Sequence, residues 1–326
     1  MVRRETLRAI RIILLALVVC AALPASRSGA SGKLVAALLT CDLPRYRDAH
    51  KAFMKSLGQK GYDQSNLEMI TQTPNPDPIS WANSIRKFNA IGADLIVAYG
   101  APAALAAIKE QSEIPVVFVD VYGPVETGVV HSMSGSGKNV AGVSSRVPLV
   151  TLIKTALDLK GGKGLGVLYN PREEGSLVQL REARRIAAQL GLTVTEVNVA
   201  SAAGIDAALA TLFAARVDYI YVSECSACCR SFEKIVHRAG ETRIPVLSQM
   251  PGAAAKGALI AMEIDPVEQG QDGAEYAARI LGGRKAAALP VLTPKRVELI
   301  VNMKTARALD LHVPLSVLSA ATKVLK

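Results

Sequence analysis

The sequence predicts an α/β fold: two Rossmann-like lobes, each a parallel sheet flanked by helices, hinged around a central ligand cleft. Three observations lead there. From Lys33 onward, short β-branched runs alternate with amphipathic or alanine-rich helical segments, at the spacing of right-handed βαβ units. The alternation breaks once, over 123–146, where five glycines and several serines carry no helical pattern, and then it restarts. Half the residues are hydrophobic while only 4% are aromatic, a balance that suits buried parallel strands under alanine-rich helices.

The elements follow in order. Strands are expected at 34–39, 67–71, 95–99 and 116–121 in the first series, with helices at 45–57, 79–90 and 103–110 between them. The second series places strands at 165–169, 193–199, 219–222, 246–248 and 258–263. Its helices are expected at 149–159, 177–190, 205–214, 232–239 and 267–281. Start signals support two of these helices: Asp77 precedes Pro78 and Asp265 precedes Pro266, each an N-cap followed by proline at the first helical position. Gly58, Gly191, Gly240 and Gly282 sit where helices should stop. The expected organisation is a leader over 1–30, an N-terminal lobe over 31–145 and a C-terminal lobe over 146–265. The tail is shared, with 266–288 returning to the first lobe and 289–326 to the second.

The leader has its own logic. Arg3, Arg4, Arg8 and Arg11 run into an apolar stretch from Ile12 to Leu23, and mostly small residues follow. That is the order of a secretory signal peptide, and the apolar run is shorter than the roughly 20 residues a spanning helix needs. Cleavage after Ala30, or after Ala25, fits the small-residue rule. A lipid anchor on Cys20 is disfavoured because Val19 precedes it. The expected location is therefore periplasmic or otherwise extracytoplasmic. Residues 1–30 carry five arginines against one glutamate, so without them the formal charge falls from +10 to +6. The remaining basic residues are scattered among acidic ones, with no basic stripe interleaved with aromatics, and this excludes nucleic acid as the natural partner.

In an open parallel sheet, ligands bind beyond the carboxyl ends of the strands. In the first lobe those ends are Thr40-Cys41-Asp42, Tyr99-Gly100-Ala101-Pro102 and Asp120-Val121-Tyr122-Gly123-Pro124. The second lobe offers Tyr169-Asn170-Pro171, Ser223-Glu224-Cys225, Gln249-Met250-Pro251 and Glu263-Ile264-Asp265. Three of the eight tyrosines fall in this set. A helix start presents free N–H groups to an anion and a carboxylate suits an ammonium, so together they fit a zwitterion such as an amino acid. Tyrosines at strand ends also serve simply to cap a core, and the composition alone does not separate the two readings.

Two stretches carry a family resemblance. The first is Ile114-Pro115-Val116-Val117-Phe118-Val119-Asp120-Val121-Tyr122-Gly123-Pro124-Val125, followed by Gly128-Val129-Val130 and Asn139-Val140-Ala141-Gly142-Val143-Ser144. The second is Leu289-Pro290-Val291, then Val301-Asn302-Met303-Lys304-Thr305-Ala306 and Pro314. With Gly100-Ala101-Pro102, Tyr169-Asn170-Pro171 and Asp265-Pro266-Val267-Glu268-Gln269-Gly270 in this order, residues 33–320 resemble the substrate-binding proteins of ABC importers. The resemblance is to the type I periplasmic-binding-protein family that includes tryptophan- and tyrosine-type binders. It implies a monomer that closes on a small solute and delivers it to a membrane permease, with no catalytic residue and no cofactor. It places ligand contacts on Thr40–Asp42, Gly100–Ala103, Tyr122, Asn170, Ser223–Cys225 and Asp265, the last as the ammonium partner. Two departures stand out: Gly123 replaces the family's usual Asp, and Glu224-Cys225 stands where an Asp-Asn pair is usual.

Other readings of the residues compete with this one. Cys225-x-x-Cys228-Cys229, with Cys41 elsewhere, invites a soft-metal or thiol-dependent site or a disulfide, and pairing is not readable from spacing. The four histidines show no ligand spacing. Gly135-Ser136-Gly137-Lys138-Asn139 imitates a phosphate loop but lacks its first Gly and its Ser or Thr after the Lys. Glu224, Asp265 and Cys225 lack the companion motifs of a hydrolase. A ligand-sensing partner of a membrane receptor would use the same fold and pocket as a transport protein.

Overall fold

Strand alternation sets the architecture. On β1 (Lys33–Leu39), Val35, Ala37 and Leu39 enter one apolar cluster while Ala36 and Leu38 enter another on the opposite face. A strand points successive side chains to opposite faces, so a run that is apolar throughout must be covered on both. The computed structural model, which describes residues 32–110 and 113–326, supplies that cover. The leader and its expected cleavage sites lie outside the described residues.

The first lobe continues with α1 (Pro44–Gln59), β2 (Leu67–Gln72), α2 (Pro78–Ala90), β3 (Leu95–Tyr99), α3 (Ala101–Lys109), β4 (Val116–Val121) and β5 (Val140–Ser144). Its sheet has the order β2-β1-β3-β4-β5, and every pairing is parallel. β5 lies in the glycine-rich stretch that shows no helical pattern. Gly142 is what lets it pair: a Cβ there would sit 2.1 Å from the Phe118 carbonyl oxygen of β4.

The second lobe contains α4 (Leu149–Lys160), β6 (Gly164–Tyr169), α5 (Glu174–Leu190), β7 (Thr193–Asn198), α6 (Ile205–Ala214) and β8 (Tyr219–Val222). These are followed by α7 (Ser226–Arg230), α8 (Phe232–Glu241), β9 (Val246–Ser248) and β10 (Ile260–Ile264). After α9 (Pro266–Leu281) come β11 (Val297–Asn302), α10 (Met303–Ala308), α11 (Leu315–Ala320) and β12 (Lys323–Leu325). The seven strands run β12-β11-β10-β9-β8-β6-β7. Most of the pairings are parallel, but β11 meets β10 antiparallel because the chain returns from the other lobe in the reverse direction.

Helix α9 crosses back and packs on α1 and the first sheet, burying Ala274, Tyr276 and Ala277 with Phe53 and Val119. Leu289 and Val291 still pack in the first lobe's cores, and Leu292 lies beside Val143 of β5. The chain therefore crosses between the lobes three times, at 145–148, at Asp265 and at 293–296. Lys33–Lys326 form one compact unit.

The α1–α9 contact depends on one missing side chain. A Cβ on Gly270 would lie 2.0 Å from the Ala49 carbonyl oxygen, a backbone atom that cannot turn aside. Gly270→Ala should therefore destabilise by about 1–3 kcal/mol through overpacking. Gly58, in the last turn of α1, has nothing within 4 Å of an added Cβ, and Gly58→Ala should be neutral or stabilising by up to about 1 kcal/mol. Urea denaturation of the two variants checks the pair; equal midpoints would refute the close-contact argument.

Candidate functional site

The carboxyl ends of the strands meet between the lobes. At the centre is Arg45, the second residue of α1, which is 9% exposed. Its Nε lies 3.0 Å from Asp120 Oδ2, at the end of β4 in the same lobe. Its Nη1 donates to Glu224, in the other lobe just after β8. Nη2 donates to Tyr46 Oη at 3.0 Å, and the guanidinium lies over the Tyr46 ring at 4.7 Å from the centroid. Asp120 has φ of +59°, a region that non-glycine residues occupy mainly where function or tight packing holds them.

One buried cation cannot balance two buried carboxylates. Burial and the nearby Glu224 charge push Asp120 up from the ordinary 3.8 to about 7, against the opposing pull of Arg45. Asp120 Oδ1 is buried with no hydrogen-bond partner.

Two further contacts tie the lobes together. Cys41 Sγ and Ser226 Oγ are 3.2 Å apart, and Tyr122 Oη donates to Glu182 on α5 at 2.9 Å. Arg146, at the first crossing, pairs with Glu126 and with Glu182. Behind Ser226, the Glu173 carboxylate accepts from the Ser226 N–H at 3.0 Å and from the Asn170 amide at 2.7 Å. Ser176 and Ser223 hydroxyls lie 2.7 Å apart, so Asn170 and the Ser223–Cys225 loop belong to one buried polar network.

Beside this network lies a cavity of about 450 Å³, within the range of small-molecule sites. Its apolar wall includes Leu43, Phe232, Met250 and Ile264, and Arg45 lines it from the first lobe. Its rim carries both signs: Asp48, Asp265 and Glu298 against Lys256 and Arg296. Glu263 also lines it, with its carboxylate accepting the Gly252 and Ala254 N–H groups at 2.7 and 2.8 Å and so fixing the loop between β9 and β10.

The residues singled out from sequence divide clearly. Asp265 lines the cavity, where one of its oxygens accepts from the Val267 N–H at 2.8 Å and caps α9. Cys41, Tyr122, Asn170, Ser223 and Glu224 line the contact between the lobes or the network behind it. Tyr99 is buried and bonded to His50, and Gln249 is buried, accepting from Tyr221 and donating to the Val147 carbonyl. Asp42 is exposed and paired with Arg47. Tyr169 is a partly buried part of the second lobe's core.

The start of α3, at Gly100-Ala101-Pro102, is already filled: Ala103 N–H donates to Thr40 Oγ1 at 3.3 Å. The Tyr46 hydroxyl lies 2.5 Å from where a Gly100 Cβ would be. Gly123, with φ of +60°, likewise leaves room for Val178 of the other lobe. Cys225 and Cys228 form a disulfide, while Cys41 and Cys229 are free. Among the described residues no group of three or more His, Cys, Asp or Glu side chains is arranged to hold a metal.

Arg45, at the centre of these contacts, is the residue that sequence reasoning passed over. Its signal was legible: Arg45 and Arg47 fall in the opening of α1, with no acidic residue in its first turn. A cation opposes the helix dipole there.

The Asp120 shift has a definite sign. A carboxyl held above its unfolded value binds its proton more tightly in the native state, so its contribution to stability is full below about pH 4 and is lost as pH rises through 7. Asp120→Asn should therefore flatten the fall in unfolding free energy between pH 4 and pH 7. Urea titrations across that range check it; a slope equal to that of the unsubstituted protein would contradict the assignment.

Comparisons with known proteins agree with this fold. A family model described as ABC transporter substrate binding protein matches residues 35–325. The chain is 30% identical over 273 residues to a tyrosine-binding protein of Clostridioides difficile, covering 82% of this chain and 78% of that one. It superposes with a TM-score of 0.84 on a domain from Streptococcus pneumonia in complex with L-Trp, at 25% identity over 90% of this chain and all of the other. A ligand-free, open substrate-binding protein with adhesive properties from Clostridium difficile gives 0.68, at 26% identity over 90% of this chain and 99% of the other. These are binding proteins and not enzymes. Arg45, Glu224 and the cavity beside them therefore lie between the lobes of a chain that belongs to the ABC transporter substrate-binding protein family.

Proposed function

We propose that the protein is the extracytoplasmic solute-binding component of an ABC importer, taking an amino acid, aromatic ones first, by hinge closure. The observation that carries this reading is the cavity between the lobes. An apolar wall with Phe232 and Met250, under a rim that carries both Asp265 and Asp48 and Lys256 and Arg296, suits an apolar side chain attached to a zwitterion. The tyrosine and tryptophan ligands of the relatives point the same way. Closure is supported by the two superpositions: at nearly equal identity, the L-Trp complex fits better than the open form. A ligand that touches both lobes shifts their balance toward the closed arrangement. Export follows from the charged and apolar leader. The protein acts as a monomer that hands its solute to a permease.

Asp265 is the proposed ammonium partner. Because it also caps α9, the informative variant is Asp265→Asn, which keeps a good cap and removes the charge. A thermal-shift screen against the amino acids should show a rise in melting temperature with tyrosine, tryptophan or phenylalanine, by mass action. Asp265→Asn should fold normally and lose at least about tenfold in affinity, as expected for a lost charge-assisted contact. No response to any amino acid would overturn the reading; normal binding by the variant would remove Asp265 from it.

A further inference from the structure

The anion seat expected at the start of α3 is closed by Thr40 and Tyr46, so a ligand carboxylate needs another partner. The cavity's other basic residues, Lys256 and Arg296, are exposed on its rim, whereas Arg45 is buried in its wall. We propose that Arg45 is the carboxylate-binding, specificity-determining residue of the cleft, and that Glu224 is its internal competitor. In the arrangement described, Glu224 takes the guanidinium hydrogen bond that a ligand carboxylate would take. This inference rests on the amino-acid reading above and names the group that holds one end of the ligand.

Donor accounting supports it. A guanidinium has five N–H donors in a planar fork matched to a carboxylate. Arg45 gives one to Glu224 and one to Tyr46, while its Nε, close to Asp120, has no aligned hydrogen-bond partner. Charge accounting agrees. Arg45 already faces two carboxylates, Asp120 and Glu224. Exchanging the Glu224 carboxylate for a ligand's leaves the charge at the guanidinium unchanged, so the exchange adds no buried charge around it. Glu173, the third acid nearby, has its oxygens occupied by Ser226 and Asn170. Tyr46 and Asp120 hold the guanidinium from the first lobe. Glu224 reaches it from the second, so it is the partner that lobe opening removes.

Three ligands and two variants test this by calorimetric titration. The ligands are tyrosine, 3-(4-hydroxyphenyl)propanoate, which lacks the ammonium, and tyramine, which lacks the carboxylate. The propanoate should bind and tyramine should not. Glu224→Gln, which keeps shape and removes the competing charge, should tighten tyrosine and propanoate binding by about fivefold or more. A residue that only tied the lobes together would weaken binding when substituted, or leave it unmoved. Arg45→Gln should lose about 100-fold, the usual order for truncating a buried charge partner. If that variant unfolds, the three ligands on the unsubstituted protein and on Glu224→Gln still decide the matter. Tyramine binding as tightly as tyrosine, or Glu224→Gln failing to tighten the acids, would overturn the proposal while the amino-acid reading stands. Propanoate binding with no amino acid bound would do the reverse, and silence from all three ligands together with no response to any amino acid in the thermal-shift screen would contradict both.

Discussion

The ion pair between Arg45 and Glu224 joins two lobes that are also linked by three chain crossings, by polar contacts and by the seat of Val178 on Gly123. Both charges are almost fully buried. Such a pair repays its desolvation only with good geometry and further hydrogen bonds, and a half-removed pair costs more than either an intact or an absent one. Here the geometry is supplied by Tyr46 under the guanidinium and Asp120 beside it. The Gln179 side chain accepts from the Glu224 N–H at 2.7 Å and fixes the loop from the other side. The pair therefore ties the position of one lobe to that of the other.

The rest of the fold explains why the pair sits where it does. Each sheet is covered on both faces, so the strand ends are the part of the core open to chemistry. Gly100 lets Tyr46 press against the start of α3, and Gly270 lets α9 lie directly on α1. Together these close contacts fix the first turn of α1, which carries Arg45 into the cleft. The same two glycines that look like packing details thus set the position of the one buried cation in the cavity wall.

Much of this was legible in the sequence. The strands of both series and the helix caps at Asp77 and Asp265 follow from local patterns that tertiary contacts reinforce. Other features depend on distant partners. β5 has no alternation of its own and pairs only because Gly142 admits the Phe118 backbone. β11 and β12 join a sheet whose other strands lie far earlier in the chain. The helix start at Gly100 reads as an anion site in isolation, and it is the arrival of Thr40 and Tyr46 that fills it. The Cys225–Cys228 pairing was open among four cysteines until the turn of α7 brought those two together. Asp120 was visible as a strand end, yet its importance depends on Arg45, which local periodicity assigns simply to the polar surface of a helix.

The family relationship fixes the kind of work such a chain does, while the residues between the lobes set what it selects. Gly123 and Glu224 depart from the resemblance where the two lobes meet. The central claim is that Arg45 and Glu224 are energetically coupled across the cleft. A double-mutant cycle on unfolding free energy, with Arg45→Met, Glu224→Gln and the double variant, tests it most directly. A coupling of about 1.5 kcal/mol or more is the predicted result for a close buried charge pair. Additive effects within about 0.5 kcal/mol would mean that the two residues do not interact, and would contradict the account.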